Sequence, residues 1–167
     1  EAVTEDGMVD VDSTGVFHIR GVQTLRYIFG KTGEIVWEPK FIYFGFRYVE
    51  LTGAHADVTV ETLTGLKAHT DLAPKADFVC AMPVLNQMQE LFRNTSTSNI
   101  HSVPTDRPAR EKCGWTGDAN IIADTSMVMW DAQLFWDKYK DDTVTGHRAH
   151  GIYNNIAPGK RGWRHRV

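Results

Sequence analysis

The hydrophobic period of this chain changes once, between residues 66 and 74, from a period of two to one near 3.6, and that switch does most to limit the fold. Strand-like texture comes first. In "GVFHIRGVQTLRYIF" Phe17 and Ile19 alternate with His18 and Arg20, among many β-branched and aromatic residues. "GKTGE" at 30–34 carries the glycines of a tight turn, so a hairpin is expected there. In "EIVWEPKFIYFGFRYVELTG" the aromatics Phe41, Tyr43, Phe46 and Tyr48 line both sides of an expected strand kinked near Gly45. "ADVTVETLTG" alternates through Val58 and Val60 as a further strand. A few strands cannot close a sandwich alone, so this part reads as a piece of a larger β-domain.

Helical texture follows "HTDLAPKADF". Pro83 suits a first helical turn, and Val84, Leu85, Met88, Leu91 and Phe92 then build one apolar face, which fades in the polar "NTSTSN". "ANIIADTSMVMWDAQLFWDKYKDD" reads as a single second helix, apolar or small on nearly all sides. "TVTGHRAHGIYNNIAPGKRGW" is irregular and turn-rich. Sheet first and helices after means separate layers or domains, 1–66 and 67–167, and excludes an alternating α/β fold.

Charge and composition narrow the function classes. The 167 residues carry a net charge of −3, which argues against a nucleic-acid partner held by bulk electrostatics. No apolar run approaches the roughly 18 residues of a membrane span, so no membrane partner is expected. The start, "EAVTEDGMVDVD", is acidic and lacks an initiator methionine and a signal-peptide pattern, so the chain is expected to open within a longer one. Cys80 and Cys113 are too few for a disulfide framework and suit a reducing compartment, with one bridge left open. The compartment itself is not fixed, the missing signal pattern leaning toward the cytoplasm.

Between the two helical stretches lies "PTDRPAREKCGWTGDAN", where Asp106, Glu111 and Asp118 gather around Trp115. Pro104 and Pro108 stiffen the approach, and Gly114 and Gly117 let the backbone turn beside bulky neighbours. Thr116 or Asp118 is placed to cap the helix beginning near 118. Two readings stand side by side here. One is a solvated loop with a helix cap. The other is a carbohydrate site, since sugar hydroxyls want carboxylate acceptors and a pyranose face wants an aromatic plate. Cleaving an acetal further needs a carboxylic acid to protonate the leaving oxygen.

"SVPTDRPAREKCGWTGDAN" closely resembles the signature of bacterial α-L-rhamnosidases of glycoside hydrolase family 78, roughly Val-Pro-Thr-Asp-Cys-Pro-x-Arg-Glu-Lys-x-Gly-Trp-Thr-Gly-Asp-Ala. "FIYFGFRYVELTG" is similar to the last strands of that family's β-sandwich. "FVCAMPVLNQMQELFRNTSTSNIHSVPTD" is similar to the first helix of its catalytic domain and the run into the active-site loop, and "DKYKDD" and "NNIAPGKRGW" are similar to later segments. The resemblance implies an α+β chain: the C-terminal strands of a concanavalin-like β-sandwich, then the first helices of an (α/α)6 barrel. It implies hydrolysis of terminal α-L-rhamnosyl residues from glycosides or polysaccharides, with inversion; no cofactor or metal is expected. By position it makes Glu111 the general acid, Asp106 and Asp118 the holders of rhamnose hydroxyls, and Trp115 the lining of the sugar subsite. Acid catalysis requires Glu111 to carry its proton, which nearby carboxylates or an apolar wall favour. Arg107 departs from the family's usual cysteine and puts a bulky cation beside Asp106. The basic end "GKRGWRHRV" departs too. The family's general base lies far downstream, so this chain alone is expected to be inactive, with the remainder of the barrel as its missing partner. The competing classes are a non-catalytic carbohydrate-binding or interaction module, and a truncated product with no function of its own.

Other candidates fall away. His147, His150, His165 and Asp141 lack a structural-zinc spacing and read as solvated, and His55 and His69 show no partners. "KRGWRHRV" reads as a frayed end. Cys113 has no histidine placed to make it a nucleophile. Met127, Met129 and Trp130 read as helix packing.

Overall fold

A computed structural model describes residues 2–10, 23–30, 33–54, 58–146 and 151–159. The expected strand around Phe17 and Ile19, Lys31 and Thr32 of the "GKTGE" turn, His55, His147, His150, His165 and the basic end lie outside these residues. By its internal contacts the chain divides into two compact units, Glu1–Leu66 with Pro108–Glu111, and Lys67–Arg107 with Lys112–Val167.

In the first unit, β1 (Ala2–Val3) and β2 (Val9–Asp10) pair antiparallel, Ala2 facing Asp10 and Val3 facing Val9. The turn between them is tied by the Thr4 N–H to the Met8 carbonyl and the Gly7 N–H to the Thr4 carbonyl, both 2.9 Å. Gly7 takes φ +80°, which glycine reaches without strain.

Among the described residues, 34–53 and 58–65 do not form the strands expected over 34–53 and 56–65. A strand exists by lending its N–H and C=O groups to a neighbour, and among the described residues the paired strands are β1 and β2. Phe41, at φ +60°, is fully exposed, and Phe46 and Tyr48 are exposed as well. Around Val60 a local bond wins. The Thr59 N–H donates to the Thr62 hydroxyl at 3.1 Å, and Val60–Thr62 closes as a turn of 3₁₀ helix. Side-chain alternation shows which residues suit a pleat, but the ladder decides whether one forms.

Among its described residues the second unit holds three helices. The first, α1 (Pro83–Ser98), starts with proline at its first turn as expected. Its approach is fixed by Asn86, whose side chain accepts from the Cys80 N–H and donates to the Cys80 carbonyl, each at 2.9 Å. The helix runs on through the polar segment expected to end it. Ser96, Thr97 and Ser98 turn their hydroxyls back onto carbonyls four residues earlier, at 2.8–3.0 Å, so they stay helical. Phe92 packs inward, whereas Val84, Met88 and Leu91 are exposed.

The single helix expected over 119–142 is two, α2 (Thr116–Met129) and α3 (Gln133–Thr145). Trp130 leaves the helix at φ −130°, ψ 157° and bridges to Pro74. Flanking bonds from the Lys75 N–H to the Met129 carbonyl and from the Asp131 N–H to the Ala73 carbonyl, both 2.9 Å, hold the break. Tertiary pairing here outweighs a helix-compatible sequence.

Two small cores flank Trp136. Met129, Trp130 and Ala132 pack with Leu72 and Phe92, while Ala119, Tyr139 and Ala157 pack with Val103. Cys80 and Cys113 are both free thiols, so the bridge left open by the sequence is not made.

Candidate active-site loop

The segment from Pro104 to Asp118 enters through a tight return. Ile100 and Pro104 bridge, and the buried Thr105 ties its N–H and hydroxyl to the Asn99 carbonyl at 2.7 and 3.0 Å. Next comes a clasp. The Asp106 N–H donates to the Cys113 carbonyl at 3.1 Å, and the Cys113 N–H donates to the Asp106 carboxylate at 2.9 Å. Trp115 adds its own N–H to the same Cys113 carbonyl at 3.1 Å. Asp106 and Trp115, expected on one sugar site, thus share one acceptor. The return is completed by Lys112 at φ +54°, its N–H reaching the Arg107 carbonyl at 3.3 Å. Burial pulls the Lys112 ammonium below its ordinary range.

Gly114 is there for lack of room. A β-carbon on it would collide with the Ala157 carbonyl, so any side chain forces the segments apart. Its own carbonyl accepts the Ala157 N–H at 2.9 Å and the Tyr139 hydroxyl at 3.1 Å. Trp115 bridges to Ile156, and the Thr116 N–H donates to the Asn155 carbonyl at 2.8 Å. Asn154, buried beneath, donates to the carbonyls of Gly146 and Gly159.

The helix cap differs from expectation. Neither Thr116 nor Asp118 is the N-cap of α2; Trp115 is, without a side-chain cap bond. The Thr116 hydroxyl is drawn instead to the carbonyls of Asn154 and Asn155, at 3.3 and 3.2 Å. Asp118 sits exposed in the first turn, where the helix dipole favours an anion. Asp106, Trp115 and Asp118 all belong to the second unit, the first two joined through Cys113. Glu111 ends the turn 108–111, is exposed, and groups with the first unit. Within that unit the Gly45 N–H donates to the Pro108 carbonyl at 3.2 Å.

Sequence patterning missed the supports of this loop. Tyr139 and Ala157 fall in "DKYKDD" and "NNIAPGKRGW", segments read as similar to later parts of the family with no residue singled out. Only Gly114, set between a bulky aromatic and a cysteine, hinted that another backbone approaches there. Burial, with Asp142 and Asp118 nearby, pushes the Tyr139 phenol up to about 12.

Comparison with known proteins gives the family. Residues 74–167 match the family described as the bacterial alpha-L-rhamnosidase 6 hairpin glycosidase domain, and residues 1–69 match the bacterial alpha-L-rhamnosidase concanavalin-like domain. An alpha-L-rhamnosidase of Formosa agariphila is 34% identical over 149 residues, covering 83% of this chain and 16% of that protein. One from Streptomyces avermitilis is 34% identical over 148 residues, covering 84% of this chain and 14% of its own length. The crystal structure of the Streptomyces avermitilis enzyme complexed with L-rhamnose superposes with a TM-score of 0.78 at 31% identity, over 95% of this chain and 15% of that one. The Aspergillus terreus alpha-L-rhamnosidase structure gives 0.69 at 30% identity, over 75% of this chain and 15% of that one. The chain thus spans a small part of the length of the relatives it matches.

Proposed function

The chain belongs to the bacterial α-L-rhamnosidase family, with part of a concanavalin-like domain followed by the start of a six-hairpin glycosidase domain, and from that premise we propose that its loop 104–118 supplies the acid and sugar-binding half of a site that cleaves α-L-rhamnosides. Glu111 protonates the glycosidic oxygen as the bond to the anomeric carbon breaks. Asp106 and Asp118 accept hydrogen bonds from rhamnose hydroxyls, and Trp115 offers its indole to the apolar face of the sugar. Residues 1–66 act as the end of the sandwich and 67–167 as the start of the catalytic domain. The substrates are glycosides or polysaccharides bearing terminal α-L-rhamnosyl groups.

One observation carries this reading: the Asp106–Cys113–Trp115 clasp, which fixes an acceptor and an aromatic plate on one short frame. Part of the Asp106 carboxylate is committed to the frame through one oxygen. In this reading the second oxygen is the one offered to sugar. Inverting hydrolysis also takes a second carboxylate, roughly 6.5–9.5 Å from the acid, to activate water. No residue of this chain is assigned that task, so the chain alone is proposed to bind rhamnose without turnover.

Calorimetric titration with L-rhamnose tests the site. Binding by the chain that is lost in Trp115→Ala supports it, and binding indifferent to Trp115→Ala moves the sugar elsewhere. Release of rhamnose from an aryl α-L-rhamnoside by this chain, abolished in Glu111→Gln, would keep Glu111 as the acid and overturn the proposed lack of turnover.

A further inference from the structure

Tyr139 has no part in the chemistry proposed for the loop, yet it is a polar group buried to 6% exposure. Its ring lies edge-on to Trp136 at 5.9 Å and packs with Ala119 and Ala157. A phenylalanine would fill that space equally well. What the hydroxyl adds is a buried bond of 3.1 Å to the Gly114 carbonyl, 25 residues away in sequence.

That carbonyl is one half of the peptide plane whose other half is the Trp115 N–H. A peptide is rigid about its C–N bond, so orienting the carbonyl orients the N–H. With the Ala157 N–H on the same oxygen, both lone pairs are engaged. On the far side of the plane, the Trp115 N–H meets the Cys113 carbonyl that also receives Asp106. The phenol remains a donor across the neutral range, because burial and the carboxylates of Asp142 and Asp118 oppose its ionisation.

We propose that Tyr139 is a positioning residue: through the Gly114 carbonyl its hydroxyl sets the Gly114–Trp115 peptide and so places the Trp115 indole where a sugar ring stacks. The sugar part of this rests on the rhamnoside reading of the loop; the placement of Trp115 does not.

Tyr139→Phe keeps the ring and removes the donor. With 5-fluorotryptophan incorporated, the ¹⁹F resonance of Trp115, identified by its loss in Trp115→Phe, is expected to shift or broaden in Tyr139→Phe while that of Trp37 holds. The dissociation constant for L-rhamnose is expected to rise roughly five-fold, the worth of one hydrogen bond. Val103→Ala thins the same cluster without touching the bond, and is expected to lower the thermal midpoint with the Trp115 resonance and rhamnose affinity unmoved. An unchanged Trp115 resonance in Tyr139→Phe, or an equal change in Val103→Ala, overturns the positioning role. If the unaltered chain does not take up rhamnose, the sugar reading of the loop fails, and the ¹⁹F comparison still decides the role of Tyr139.

Discussion

Asp106 and Cys113 hold each other across the base of the loop, the Asp106 N–H on the Cys113 carbonyl at 3.1 Å and the Cys113 N–H on the Asp106 carboxylate at 2.9 Å. The side chain proposed to receive a sugar hydroxyl is therefore also the pin that closes the segment carrying Glu111. The clasp uses one oxygen of the carboxylate and the proposed sugar contact the other, and substitution can separate them.

Asp106→Asn keeps a carbonyl oxygen able to accept from the Cys113 N–H, but gives up the charge. It is expected to retain most of the thermal stability while weakening L-rhamnose binding. Asp106→Ala removes both and should cost about 1.5–3 kcal/mol, the range for a hydrogen bond to a charged group. Urea titration beside calorimetry reads the two effects independently. Equal loss of stability in both variants would mean that the clasp depends on charge alone.

Gly114 tests the packing beneath the loop. A methyl group there meets the Ala157 carbonyl, which is backbone and cannot swing aside. Gly114→Ala is expected to destabilise by about 2–3 kcal/mol, typical of overpacking at a site that cannot relax. The urea midpoint should fall with the slope unchanged. At the exposed Gly117, where an added β-carbon meets nothing, Gly117→Ala should leave stability unharmed.

Legibility in the sequence followed the range of the interaction. Pro83 and the spacing of Val84, Leu85, Met88, Leu91 and Phe92 announced α1, because that information is local. The split between α2 and α3 was invisible, since it depends on Trp130 finding Pro74, 56 positions away in sequence. Val60 alternates correctly for a strand yet curls, because Thr59 and Thr62 offer a bond that needs no neighbour. In the loop, residue types and spacing named Asp106, Glu111, Trp115 and Asp118 as candidates. The supporting contacts from Tyr139 and Ala157 come from distant chain and left no periodic trace.

Stability should respond to pH at both ends. The folded state holds the Tyr139 phenol up to about 12, against an ordinary 10.0, by burial first and then by Asp142 and Asp118. As pH climbs from 10 toward 12 the unfolded chain releases this proton and the folded chain keeps it, so stability falls. Burial likewise lowers the His101 imidazole below its ordinary 6.5, assisted by His69 and Lys112 and opposed by its 2.9 Å bond to the Ala68 carbonyl. The unfolded chain then takes up a proton first as pH falls through 6.5, and stability declines on that side as well. Thermal midpoints of Tyr139→Phe and His101→Gln should show the alkaline and acid limbs flattened, each in its own variant. A limb that survives its variant assigns the titration elsewhere.

Ser126 links α2 to α3 at the heart of the second unit. It is 1% exposed, accepts the Trp136 indole N–H at 2.8 Å and donates to the Ala123 carbonyl at 2.8 Å. Trp136 faces both small cores, so the bond sets the position of the side chain they share. Ser126→Ala removes the acceptor of the indole N–H, an expected cost of about 1–3 kcal/mol. Trp136→Phe removes the N–H and also part of the ring, and should cost more through the cavity. Once the donor is gone, removing the hydroxyl matters less, so the double variant should lose less than the two single losses combined. The shortfall, read from urea titrations, is expected near 1 kcal/mol. Strict additivity would show that the hydroxyl and the indole do not stabilise one another, and that α2 and α3 are held together by apolar packing alone.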